Sequence, residues 1–104
     1  MAGDLGARIK ELRKKRGLTL DQLAELTGSS KSYIWELENK APPRPSADKL
    51  SKIADKLGVT ITYLIGEQAE EDATDANFYR NFQKLDKEKK EMLRRMVQVW
   101  DDDE

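Results

Sequence analysis

The sequence predicts an all-α fold: five short helices in residues 1–66, then a helical hairpin at the end of the chain. Three observations predict it. Apolar residues recur three and four apart through the segments between the turns, and no run alternates with period two long enough to form a strand. Ser, Thr or Asp stands ahead of most of these stripes and glycine follows several of them, the start and stop signals of helices. Hydrophobic and charged residues each make up 38% of the 104 residues, so the core has to be thin and assembled from amphipathic helices.

Leu5, Ile9 and Leu12 form the first stripe, with Asp4 as its expected N-cap. "RKKRG", residues 13–17, places cations at the negative end of this helix and a glycine after it. Thr19 and Gln22 make a capping box for a second helix, whose inner face carries Leu20, Leu23 and Ala24. "TGSS", residues 27–30, ends it after two turns, and Ser30 caps a third helix with Ile34 and Leu37 inward. "NKAPPRPS", residues 39–46, excludes helix because Pro42, Pro43 and Pro45 fall within four positions. A fourth stripe of Leu50, Ile53, Ala54 and Leu57 runs from Ser46 to Gly58. Thr60 caps a short fifth helix bearing Tyr63 and Leu64, which Gly66 closes.

"EQAEEDATD", residues 67–75, is acidic and nearly free of apolar side chains, so it is expected to be a linker. In residues 76–104, Phe78, Phe82 and Leu85 form one stripe. Asp86 caps a last helix with Met92, Leu93, Met96, Val97 and Trp100 on one face. The closing "DDDE" sets acidic charge at a helix C-terminus, where it is expected to fray the end. Two short helices have little stability alone. The expected arrangement is therefore dimerisation through these eight apolar residues, with docking back onto the head as the alternative.

Composition excludes several kinds of chemistry. Without cysteine or histidine there is no disulfide, no thiolate or imidazole metal site, and no ordinary general base near neutral pH. No nucleophile–base pair stands out, so neither an enzyme nor a cofactor nor a metal is expected. "MAGDLGARIK" lacks the apolar centre of a signal peptide, and no apolar run approaches the ~20 residues of a membrane span. The expectation is a cytoplasmic protein with no membrane partner. The net charge of −1 is unevenly spread: residues 1–66 hold 12 Lys/Arg against 8 Asp/Glu, and residues 67–104 hold 7 against 12. A basic front half points to an anionic partner such as nucleic acid, although solvated helices often carry such an excess.

A two-turn helix, a glycine turn and a second amphipathic helix make a helix-turn-helix candidate, with parts that generic bundles share. "LRKKRGLTLDQLAELTGSSKSYIWELENK" closely resembles the Xre/Cro-CI family of bacterial and phage DNA-binding proteins, and "DKLSKIADKLGVTITYLIG" resembles that family's last two helices. The resemblance covers residues 5–66. It is nearest to the SinR-type repressors, through "KSY" in the third helix and a seven-residue step from Glu38 to Pro45, one longer than the usual family loop.

The resemblance implies a five-helix Cro/CI-type head and a sequence-specific transcription regulator, a repressor binding an inverted repeat of double-stranded DNA as a homodimer. It sets the third helix in the major groove, with Lys31, Ser32, Trp35 and Glu36 as the base-reading residues. Lysine donates to guanine, serine serves either partner, and glutamate accepts from the cytosine amino group. At Trp35 the family more often carries a small or polar residue. The indole either packs on thymine methyl groups or folds sideways over Pro42 or Pro43. Thr19, Ser30, Tyr33, Asn39, Lys40 and Arg44 occupy positions the family uses for phosphates. Arg13 and Glu38 occupy those of an ion pair between the first and third helices. The alternative function is an antitoxin or interaction module that binds a protein partner through its C-terminal helices and autoregulates.

Overall fold

Side-chain caps set where most of the helices begin. In the computed structural model, which describes residues 2–40 and 45–102, the chain forms α1 (Ala2–Lys15), α2 (Leu20–Thr27), α3 (Lys31–Asn39), α4 (Ala47–Leu57), α5 (Ile61–Leu64), α6 (Glu70–Gln83) and α7 (Lys87–Asp102). The hydroxyls of Thr19, Ser30, Ser46 and Thr60 accept from the backbone N–H three residues on, at the starts of α2 to α5. Thr19 and Gln22 complete the reciprocal capping box. Asp86 accepts from the Lys89 N–H at 2.9 Å ahead of α7. No strand occurs among the described residues, and no described helix is long and apolar enough to cross a membrane.

Two expectations fail. α1 starts at Ala2, so Asp4 lies within the helix and is not its N-cap. Nothing in Ala2 or Gly3 blocks the helix as proline would, and alanine favours it. The stretch 67–75 is not an open linker, because α6 begins at Glu70. Glu70, Glu71 and Asp72 fill its first turn, where acidic charge suits the positive helix end. Ala73 is then fully buried in the core of the head, and Asn77 is buried one turn later.

The core lies among α1 to α5. Ile9, Leu12, Leu23, Ile34, Ile53 and Leu57 have no exposed surface, and burying each such side chain stabilises the fold by roughly 1.5–3 kcal/mol. α1 packs against α3, and α2 packs against both α3 and α4. Gly6 makes the first of these contacts close. A Cβ there would collide with the Leu37 carbonyl oxygen and lie 2.9 Å from that of Glu38.

Arg13 and Glu38 join the same two helices. Arg13 Nε donates to Glu38 Oε2 at 2.6 Å, Nη2 to Oε1 at 3.0 Å, and Nη1 to the Leu18 carbonyl at 2.9 Å. The Glu38 hydrogen bond, opposed by burial and aided by the carboxylate charge, raises the guanidinium above its ordinary value. Two further cations of "RKKRG" also serve the fold. Arg16 Nε donates to the Leu57 carbonyl at the end of α4, and Lys15 bridges Glu11 and Glu70. α7 extends away from the head, giving the molecule dimensions of 48 × 25 × 23 Å.

Candidate nucleic-acid interface

The turn between α2 and α3 holds its shape through backbone bonds. Gly28 takes the left-handed conformation, φ 66°, that glycine adopts without a Cβ penalty. Its N–H donates to the Glu25 carbonyl at 3.3 Å, and the Ser29 N–H donates to that of Ala24 at 2.8 Å. This pairing satisfies carbonyls that the helix end would otherwise leave without partners. The buried Thr27 hydroxyl donates to the Leu23 carbonyl at 2.8 Å and so ties the turn back to α2.

Lys49, on α4, reinforces this turn, and no pattern in the sequence singled it out. Its Nζ donates to Ser29 Oγ at 2.8 Å, lies 3.4 and 3.5 Å from the carbonyls of Thr27 and Gly28, and sits 5.7 Å from the Tyr33 ring centre. One cation from a third helix therefore fastens the joint of the other two.

Ile34, Leu37 and Glu38 turn α3 inward, which leaves Lys31, Ser32, Trp35 and Glu36 together on its exposed face. Trp35 is 44% exposed, with Lys40 Nζ 5.6 Å from its ring centre. Lys31 lies 3.8 Å from Asp21 of α2 in a solvated pair. The ring therefore borders on water and a cation. Pro42, Pro43 and Arg44 lie outside the described residues.

The residues expected at phosphates differ in how free they are. Ser30 and Thr19 are exposed caps whose oxygens accept from Tyr33 and Gln22 N–H groups. Lys40 is exposed at the end of α3. Asn39 is partly engaged, since its amide donates to the Trp35 carbonyl at 2.9 Å and its oxygen lies 3.5 Å from Lys10 Nζ. Tyr33 is half-buried against the core beneath Lys49, and burial raises its phenol above the ordinary value.

The C-terminal stripe divides between two sides of α7. Leu93 and Val97 face Phe78, Tyr79 and Phe82 of α6 across an apolar groove, with the Phe78 and Phe82 rings 6.3 Å apart. Leu85 is half-buried in the turn between the helices. Met92, Met96 and Trp100 stand 56%, 51% and 64% exposed. Tyr79 and Val99, absent from the expected stripe, add further exposed apolar surface. Among the described residues no group of acidic side chains is arranged to hold a metal ion.

Comparison with known proteins agrees with this geometry. The helix-turn-helix family profile matches residues 9–64. The HTH-type transcriptional regulator SinR of Bacillus subtilis is 38% identical over 66 residues, covering 64% of this chain and 60% of that one. The immunity repressor of Bacillus phage phi105 is 33% identical over 97 residues, covering 91% and 61%. The chain thus spans about three fifths of the length of these curated relatives. A crystal structure of SinR, the master regulator for biofilm formation, in complex with DNA superposes with a TM-score of 0.56 at 38% identity, over 59% of this chain and 97% of that one. The SinR–SinI complex superposes with a TM-score of 0.57 at 31% identity, over 96% and 99%. With its turn, its outward-facing third helix and this match over more than half its length, the chain belongs to the helix-turn-helix family of the Xre/Cro-CI type.

Proposed function

We propose that this chain is a cytoplasmic, sequence-specific transcription regulator, a repressor that binds an inverted repeat in double-stranded DNA as a homodimer. One observation carries the reading: a third helix held by a fastened turn, with Lys31, Ser32, Trp35 and Glu36 exposed together and Ser30 and Lys40 at its two ends. Such a face supplies donors and acceptors for base edges and charge for the flanking phosphates. The names of the relatives support it, since SinR was crystallised with DNA and the phi105 protein is an immunity repressor. The dimer rests on the exposed Met92, Met96, Val97 and Trp100, which cost free energy in water and gain it against a second copy.

Selection of bound sequences from random duplex DNA tests this directly. A two-fold symmetric motif is expected, and Glu36→Ala should relax preference at one position in each half-site while non-specific binding persists. Selection that enriches no motif would overturn the reading. The same apolar tail favours a second reading, capture of a different protein by α6 and α7, and the superposition with the SinR–SinI complex over nearly the whole chain points the same way. A tail that remains monomeric in concentrated solution would favour that second reading.

A further inference from the structure

α6 has one face packed on the head and another that lines the groove shared with α7. On one, Ala73 is fully buried in the head, the Asn77 amide donates to the Val59 carbonyl at 3.0 Å, and Arg80 Nη2 lies 3.3 Å from Asp55 Oδ1. Near its start, Lys15 Nζ lies 3.0 Å from Glu70, and the Thr60 hydroxyl donates to Gln68. The other face carries Phe78 and Phe82 toward α7. A single continuous helix is therefore fixed to the head on one side and builds half of the apolar tail on the other. Only Lys84, Leu85 and Asp86 separate it from α7.

We propose that α6 is a rigid strut that sets the separation and rotation of the two DNA-binding heads, so that Ala73, Asn77 and Arg80 determine which half-site spacing the protein accepts. This rests on the homodimer reading above. A nine-residue coil in place of residues 67–75 would span roughly 15–18 Å on average and let each head search over a range of positions. A helix anchored by a buried alanine and a buried amide–carbonyl bond has no such latitude. Each base pair added between half-sites displaces one of them by about 3.4 Å and turns it by roughly 34°. A fixed strut meets that change only by straining or undocking.

The test uses the full chain and palindromic duplexes built on its selected motif, with the half-sites moved one or two base pairs closer or further apart. The parent protein should lose about tenfold or more in affinity away from its preferred spacing, as the second head's contribution is lost. Asn77→Ala combined with Arg80→Ala should bind the preferred spacing within a few-fold of the parent and give a flattened spacing profile. Sedimentation of the same samples separates two failures. A monomeric parent overturns the homodimer reading and the strut with it. A dimeric parent indifferent to spacing, or a folded dimeric variant with the parent's profile, overturns the strut alone. The absence of cysteine allows a second measurement that needs no DNA, with spin labels at Glu25→Cys and Gln83→Cys. A narrow distance distribution that broadens on Asn77→Ala is expected, and a broad one in the parent overturns the proposal.

Discussion

Truncating Arg13 to alanine should remove a large part of the head's stability. The Glu38 side chain is 1% exposed, and both of its oxygens bond the Arg13 guanidinium, at 2.6 and 3.0 Å. Alanine at position 13 strands that carboxylate among apolar residues and also frees the Leu18 carbonyl. An unpaired buried charge costs about 3–5 kcal/mol, against a total of about 5–15 kcal/mol for a domain of ordinary stability. At roughly 4–8 °C per kcal/mol, the melting temperature should fall by at least about 12 °C. Lys14 is the control: it is exposed, and Lys14→Ala should stay within about 0.5 kcal/mol of the parent. Thermal and urea unfolding followed by circular dichroism give both values. Arg13→Met with Glu38→Leu adds a sharper check, because replacing a whole buried pair with apolar groups is often neutral. Equal melting temperatures for Arg13→Ala and Lys14→Ala would refute the argument. A double variant as unstable as Arg13→Ala would trace the loss to packing and not to the stranded charge.

Lys49→Met should lower stability by about 1 kcal/mol and weaken DNA binding for every sequence alike, because it loosens the α2–α3 joint and touches no base-reading residue; a changed selected motif would show that Lys49 takes part in readout. Trp35 in a Trp100→Phe background should change its emission and lose access to a soluble quencher when operator DNA is added, and constant access at saturation would place the indole outside the groove. Burial raises the Asp55 carboxyl, but hydrogen bonds from Asn81 and Asn77 and the charges of Arg80 and Lys84 outweigh it and leave the group below its ordinary value. The stability this adds is present above the unfolded aspartate value of about 3.9 and is lost as pH falls through the lower folded value. The urea-midpoint gap between the parent and Asp55→Asn should therefore close in strong acid, and a gap constant from pH 6 to pH 2 would count against the docking contacts.

Most of the head is legible because α2 to α5 are each specified locally. Thr19, Ser30, Ser46 and Thr60 sit where a hydroxyl meets the first free N–H groups, and Leu50, Ile53, Ala54 and Leu57 follow one period against one core. Lys49 was not legible: at the start of α4 it resembles any solvated lysine, and only the tertiary approach of α4 brings it to Ser29. α6 escapes a reading of the sequence for a related reason. A helix that serves one core shows one apolar stripe. α6 divides its apolar residues between two sides, with Ala73 and Asn77 buried against the head and Phe78 and Phe82 lining the groove toward α7, so no single stripe marks it. Its inward side is also small and polar, because Asn77 is buried with its amide bonded to the Val59 carbonyl. Averaged over residues 67–75, two alanines among acids look like a solvated coil. The same averaging sets the head's boundary at Gly66, ahead of the helix that adds Ala73 and Asn77 to its packing. Cutting there would remove Ala73 and uncover Val59 and Leu64, both now without exposed surface. A fragment that ends at Gly66 is therefore expected to melt below one that runs through α6 to Gln83, and equal melting temperatures for the two would count against the docking of Ala73 and Asn77.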